Sequence, residues 1–355
     1  MSVENRTRAV REGEELDVLK LKAYLEAQWG RPIGDLEIEQ FPGGYSNLTY
    51  LVRIDEQDYV LRRPPFGSKV KRAHDMGREF RVLSALSAHR DWAPEPVAHS
   101  DDPDVLGAEF YLMKKVDGVI LRRKPPEDLD EPMARRLSET LLDTLVDMHS
   151  LDPADVGLGD LGRPEGYVER QVEGWIKRYG KSATDQIDDM NRVAEWLRKE
   201  TPASGPGVII HNDYKFDNVV YDSPAFGRIV GVLDWEMATC GDALMDLGTS
   251  LSYWVEAGDL EGLKNLSFGP TAQPGMFTRQ ELAERYAEKT GRDVSGILFY
   301  FAFGLYKTAV VLQQIYYRYQ QGLTKDERFA GLIFGVRLLA QSAQRAIDRG
   351  HISST

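Results

Sequence analysis

Cysteine is almost absent. Cys240 stands alone among 355 residues, which excludes an internal disulfide and with it the disulfide-stapled secreted scaffolds. Its place at the end of an apolar stretch fits a buried structural thiol better than a reactive one. Basic charge is in deficit: 44 Lys and Arg against 56 Asp and Glu give a net charge of −12, so nonspecific nucleic-acid binding is not expected. The opening residues, Met1-Ser-Val-Glu-Asn-Arg-Thr-Arg8, have no apolar run of the secretory kind. No apolar stretch reads as a membrane span; Leu298–Val311 comes nearest and is interrupted by Lys307 and Thr308. These absences leave a soluble cytoplasmic enzyme as the expectation, with no membrane or nucleic-acid partner. A chain of this length can form two lobes with separate cores.

What is present is a series of polar signatures in a fixed order. His211-Asn-Asp-Tyr-Lys-Phe-Asp-Asn218 carries the spacing H-x-D-x-x-x-x-N, that of the catalytic loop of ATP-dependent kinases. Asp213 can accept the proton of a substrate hydroxyl, and Asn218 can present a neutral oxygen to magnesium. Taken alone, the same residues could form a turn in which Asp and Asn satisfy their own backbone. The flanks favour the loop, since Gly207–Ile210 reads as a buried strand entering it and Val219–Tyr221 as a strand leaving it. Further on, the apolar strand Arg228–Leu233 ends in Asp234-Trp-Glu236. Asp234 is placed to anchor magnesium, because a hard cation needs a charged oxygen as well as a neutral one. Glu236 is either a second carboxylate contact or a solvated strand end.

Upstream, Leu36–Phe41, Leu48–Ile54 and Tyr59–Arg63 read as successive strands. Pro42-Gly-Gly-Tyr-Ser-Asn47 joins the first two. Gly43 and Gly44 would let backbone N–H groups approach phosphate oxygens, with Tyr45, Ser46 and Asn47 beside them; a plain hairpin turn wants the same residues. Alternation puts Arg62 and Arg63 on opposite faces of the third strand, so one of them can face a nucleotide. Arg62 is the choice, since Pro64 and Pro65 end the strand at once after Arg63. Its expected partner is Glu79, in the helical stretch His74–Ala88. Ala108–Lys115 is a further strand, and Met113, Lys114, Lys115 and Val116 are the candidates for the nucleotide edge.

Gly loop, cationic strand, Glu helix, H-x-D-x-x-x-x-N and strand-Asp, in that order, resemble the aminoglycoside phosphotransferase and choline kinase family over roughly residues 30 to 340. Gly241-Asp-Ala-Leu-Met-Asp-Leu247 is similar to a G-D-P-L-x-D-L run of that family. The resemblance implies that Asp246 braces the catalytic loop together with His211. Tyr59–Pro65, Gly77–Phe80 and Gly107–Met113 look most like the branch that includes the kinase domain fused to some acyl-CoA dehydrogenases. Asn212 replaces the commoner Gly, Ala243 replaces Pro, and Lys215 stands two residues after the base, where it could neutralise charge on the transferred phosphoryl.

The resemblance implies an α+β, bilobal protein-kinase-like fold. Residues 1–115 would form an N-terminal antiparallel-sheet lobe with one long helix. Residues 116–355 would form a larger, mostly helical lobe bearing the catalytic loop and substrate helices. It also implies ATP and Mg²⁺ as cofactors and a small hydroxyl-bearing acceptor, for which a hydroxyacyl-CoA is the first candidate. An aminoglycoside or choline-like amine is the alternative, and a nucleotide-binding regulatory module the third. The basic clusters Lys69, Lys71, Arg72, Arg78 and Arg122, Arg123, Lys124 read as solvated charge or as a docking surface for an anionic carrier. The aromatic residues of the helix near 294–320 read as core or as part of a substrate pocket.

Overall fold

The computed structural model describes residues 7–42, 47–66, 75–324 and 326–354. In chain order its regular elements begin with α1 (Val18–Trp29), β1 (Leu36–Gln40), β2 (Leu48–Ile54), β3 (Gln57–Arg63), α2 (Met76–Ser87), β4 (Pro96–Ser100), α3 (Pro103–Leu106) and β5 (Phe110–Lys114). There follow α4 (Glu131–Ser150), α5 (Tyr167–Ser182), α6 (Asp188–Lys199), β6 (Gly207–Ile210), β7 (Val219–Tyr221), β8 (Ile229–Val232) and β9 (Thr239–Asp242). The chain closes with α7 (Ala243–Ser252), α8 (Glu261–Lys264), α9 (Arg279–Thr290), α10 (Ile297–Gln320) and α11 (Leu332–Arg349). These elements fall into two compact units, one of residues 1–120 with 220–224 and 229–238, the other of the remainder. Residues 220–224 and 229–238 thus pack with the N-terminal unit although they follow the catalytic loop in sequence.

In the first unit the strands form an antiparallel sheet in the order β1-β2-β3-β5-β4. Alternation divides its side chains between two faces. Tyr50, Val52, Ile54, Leu61, Phe110 and Leu112 join Leu21 and Leu25 of α1 in one apolar cluster. The opposite parity, including Val60, Arg62, Tyr111 and Met113, faces the other way, and Arg62 lies opposite Tyr111 in the β3–β5 register. Helix α2 starts at an Asp75 cap that accepts from the Arg78 N–H, and buries Met76, Glu79, Val82, Leu83 and Leu86.

The second unit is mostly helical, with β6 and β9 paired antiparallel as a two-stranded ladder. Helix α10 is its central element and packs against α5, α6, α7 and α11. It crosses α7 so closely that a Cβ on Gly248 would lie 2.4 Å from the Tyr300 main chain, and one on Gly304 would lie 2.5 Å from the Gly248 carbonyl. Ile297–Gln320 is long and apolar enough to cross a membrane by length and composition, which corrects the expectation that no stretch is. Lys307 and Thr308 do not disqualify it. However, 78% of its most apolar window is buried inside the protein, as in the core helix of a folded domain. Of its aromatic residues Tyr300, Phe303 and Tyr306 are buried, whereas Tyr316, Tyr317 and Tyr319 are half-buried. Cys240, in β9, is buried too, and burial pushes its thiol pKa up.

Candidate active site

In the first unit a buried ion cluster joins three of the predicted residues. Arg62 donates through Nη1 to Glu79 Oε1 at 2.5 Å and through Nη2 to Asp234 Oδ1 at 2.9 Å. Burial works against the guanidinium charge, yet Glu79 and Asp234 outweigh it and hold the Arg62 pKa well above its ordinary value. Arg63 points to the other face, donating to the Leu106 carbonyl at 2.8 Å and stacking on Phe66. The β3 alternation therefore sends one arginine to α2 and its carboxylate and the other toward α3.

Asp234 has a left-handed backbone, φ 67°, that turns the chain sharply at the end of β8. The next residue secures that turn. The Trp235 N–H donates to Glu79 Oε1 at 3.1 Å, and its fully buried indole stacks on Trp92 at 5.9 Å. Glu236 accepts from Asn47 Nδ2 at 3.0 Å, so it is tied to the start of β2 and is not a bare strand end. Gly43, Gly44, Tyr45 and Ser46 lie outside the described residues, as do Lys69, Lys71 and Arg72. Met113 is buried at the end of β5. The N–H groups of Lys114 and Lys115 are committed to the carbonyls of Glu95 and Asp58, and their ammonium groups pair with Glu95 and Asp117. Val116 lies against Gly231 in β8. Arg78 donates to the Ala238 carbonyl at 2.6 Å, whereas Arg123 and Lys124 are exposed.

In the second unit the loop of residues 211–218 hangs from Asp246, one turn into α7. Its Oδ1 accepts from the Asn212 N–H at 2.7 Å, and its Oδ2 accepts from the His211 N–H at 2.8 Å and from His149 Nε2 at 3.2 Å. The chain of contacts continues from His149 Nδ1 to the Tyr286 hydroxyl at 2.8 Å. Burial alone would raise the Asp246 pKa, but His149 and His211 outweigh it and hold the carboxyl below its ordinary value. Asn212 is left-handed, φ 65°, a conformation that suits Gly and is tolerated by Asn. That explains the Asn in place of the commoner Gly. Its carbonyl accepts from Lys307 of α10 at 2.6 Å, and burial pushes the Lys307 pKa down to about 8.

This bracing presents the Asp213 carboxylate. Oδ2 accepts from Lys215 Nζ at 2.6 Å and from Asn218 Nδ2 at 2.9 Å; Oδ1 accepts from the Tyr253 hydroxyl at 2.7 Å. Because Asn218 spends its amide N–H groups on Asp213, its side-chain oxygen is the atom left to face a cation. Lys215 lies over the Tyr253 ring at 4.7 Å and the Phe268 ring at 5.2 Å. An apolar pocket adjoins these residues, lined among others by Leu141, Phe216, Leu251, Trp254 and Phe268, and no carboxylate is among the described residues of its wall. Sequence reasoning missed Tyr253, His149 and Tyr286, and it gave Lys307 no role in the loop. No local pattern marks them, since each acts across dozens of residues.

No group of three or more His, Cys, Asp or Glu among the described residues could hold a metal ion by itself. Asp234 in the first unit carries a carboxylate and Asn218 in the second an amide oxygen, each a hard donor of the kind that magnesium takes.

The chain is 32% identical over 364 residues to acyl-CoA dehydrogenase family member 11 of Gallus gallus, covering 100% of this chain and 46% of that protein. It thus spans about half the length of that relative. A solved structure from Ralstonia eutropha, provisionally described as an aminoglycoside phosphotransferase, is similar with a TM-score of 0.81 at 28% identity, covering 94% of this chain and 99% of that one. An aminoglycoside phosphotransferase solved with AMP-PNP and hygromycin B shares the fold at a TM-score of 0.59 and 14% identity, covering 92% of this chain and 98% of that one. The fold is therefore the kinase-like one, with a five-stranded antiparallel sheet and a mostly helical C-terminal part. The model of the phosphotransferase enzyme family matches residues 37–285. Since that match takes in well over half of the chain, Arg62 and Asp213 included, the chain belongs to the phosphotransferase enzyme family.

Proposed function

We propose that this phosphotransferase is a Mg²⁺–ATP-dependent kinase acting on the hydroxyl of a small metabolite. The observation that carries the reading is the Asp213 carboxylate, poised on a loop whose main chain is pinned by Asp246 and Lys307 and flanked by Lys215 and Asn218. Asp213 orients the acceptor hydroxyl and takes its proton as the oxygen–Pγ bond forms and the bond from Pγ to the β–γ bridging oxygen breaks. ADP leaves. Lys215, held by Asp213 in this structure, can turn to the developing charge on the phosphoryl oxygens. Arg62, fixed by Glu79, and the 43–47 loop hold the phosphates. Asp234 supplies the charged oxygen and Asn218 the neutral one for magnesium, which when bound shields the phosphate charge. Catalysis would be mostly positioning and electrostatics.

For the acceptor, a hydroxylated acyl-CoA is our reading, supported by the similarity to acyl-CoA dehydrogenase family member 11. The apolar wall beside Lys215 and Tyr253, with no carboxylate among the described residues that line it, offers a polycationic antibiotic no counter-charge. The test is mass-spectrometric detection of phosphate transfer from Mg²⁺–ATP to 4-hydroxyacyl-CoAs, the matching free acids, kanamycin-type aminoglycosides and choline. A CoA ester that gains phosphate while its free acid stays inert is the expected result. Transfer to an aminoglycoside or choline alone would refute the acyl-CoA reading. Asp213→Asn should lower turnover by about 10²–10⁴-fold with ATP affinity nearly intact; wild-type-like turnover would sink the assignment of the base.

A further inference from the structure

Both oxygens of the Asp213 carboxylate are already engaged. Oδ2 holds Lys215 and Asn218, two groups the transfer itself uses, and Oδ1 holds the Tyr253 hydroxyl at 2.7 Å. A general base must sit within about 2.6–3.2 Å of the hydroxyl it deprotonates. Oδ2 is thus filled, and an acceptor hydroxyl that reaches Oδ1 meets the Tyr253 hydroxyl there.

Tyr253 is the partner built to leave. Asn218 belongs to the loop, whose main chain is pinned by Asp246 and Lys307, and Lys215, when it turns to the phosphoryl, frees Oδ2 and leaves Oδ1 to Tyr253. Tyr253 instead lies one residue beyond α7, where the helix gives way to irregular chain. Its ring is half-buried and stands edge-on to Phe268 at 5.0 Å. Swinging it aside breaks the hydroxyl's bonds to Asp213 and Thr308 and its ring's contact with Lys215, but no main-chain ladder. Chemically it is also the right surrogate: an O–H donor on Oδ1, as an acceptor alcohol would be. Burial and the neighbouring Asp213 charge push its pKa well above the ordinary tyrosine value, so it stays a proton donor across the working pH range.

The geometry points to Tyr253 as a stand-in for the acceptor. Its hydroxyl occupies the acceptor's place on Asp213 Oδ1, keeps water out of that place, and yields it when the acceptor arrives. This rests on the reading of Asp213 as the base of phosphoryl transfer. An open Asp213 would instead take a proton from water as the water oxygen bonds to Pγ and the bond to the β–γ bridging oxygen breaks. That reaction releases ADP and inorganic phosphate and wastes the nucleotide. Tyr253 is thus a positioning residue whose hydroxyl suppresses hydrolysis.

Tyr253→Phe keeps the ring against Phe268 and removes only the hydroxyl. Acceptor-free release of inorganic phosphate from Mg²⁺–ATP uses water itself as the probe. The expected result is hydrolysis raised roughly tenfold over wild type, the factor one hydrogen bond to a charged group carries. The rise should vanish in Tyr253→Phe/Asp213→Asn. Phe268→Ala, which loosens the ring without touching Asp213, should raise hydrolysis in the same direction. Unchanged or lowered hydrolysis in both single variants, with nucleotide still bound by calorimetry, overturns the stand-in role. Failure of the kinase reading looks different: no Mg²⁺–ATP binding by the wild type, or hydrolysis indifferent to Asp213→Asn.

Discussion

Asp246→Asn tests how the catalytic loop is held. The side chain keeps its size, but one of its two oxygens becomes an NH2 group. In the wild type Oδ1 serves the Asn212 N–H and Oδ2 serves the His211 N–H and His149. Whichever way the amide is placed, a donor now faces a buried donor. One charge-assisted hydrogen bond is lost, about 1.5–3 kcal/mol, and an unsatisfied buried N–H adds about 1–3 kcal/mol. Breaking buried charged contacts of this kind costs about 3–5 kcal/mol in all.

The cost should appear locally, because the two units need not unfold together. Amide hydrogen exchange at His211 and Asn212 reads it directly, with protection falling by about 10²–10³-fold. Turnover should fall with it, as Asp213 is the next residue. The pH dependence has a definite sign. The folded carboxyl lies below its ordinary value, so its stabilisation is present above the unfolded carboxylate range. It is lost as pH falls through the lowered folded value, and the gap between wild type and variant should close only in strong acid. His211 and Asn212 amides protected within tenfold of wild type at pH 7, with turnover intact, would refute the idea that Asp246 carries the loop.

Lys307 gives a prediction at the other end of the pH scale. Its folded pKa is about 8 against an ordinary 10.5, so between these values the unfolded chain binds the proton more tightly and stability rises with pH. Relative to Lys307→Met, the wild type should gain up to about 3 kcal/mol between pH 8 and 10.5 and nothing below pH 8; parallel denaturation curves across that window would contradict it. Gly248→Ala puts a methyl group 2.4 Å from the Tyr300 main chain, which cannot rotate away. It should cost about 1–3 kcal/mol and lower turnover, since α7 carries Asp246; an unchanged melting temperature would show that α7 and α10 can separate freely.

Much of the site can be read along the chain because its parts are local. The H-x-D-x-x-x-x-N spacing needs only one loop between two short strands, and β2, ending in Ile54, alternates legibly between two faces. The Thr278–Glu281 capping box likewise appears in both sequence and structure. Other elements exist only through their partners. β9, Thr239-Cys-Gly-Asp242, has no strand pattern and is extended because β6 pairs with it. β4 begins with a proline and takes its place at the edge of the sheet.

The site divides in the same way. Residue order and type alone picked out the candidates for a base, metal oxygens and a phosphate-gripping cation, because each is written within a few residues of its strand or turn. Alternation also determined that Arg62 and Arg63 part company. Which of them meets Glu79 depended on the face that α2 covers, and that is a property of packing. The resemblance already implied the hold of Asp246 on the loop, but that of Lys307, and of Tyr253 on Asp213, was decided by tertiary structure alone. Those two side chains approach from α10 and from the end of α7, and a contact made across such distances in sequence leaves no periodicity to read.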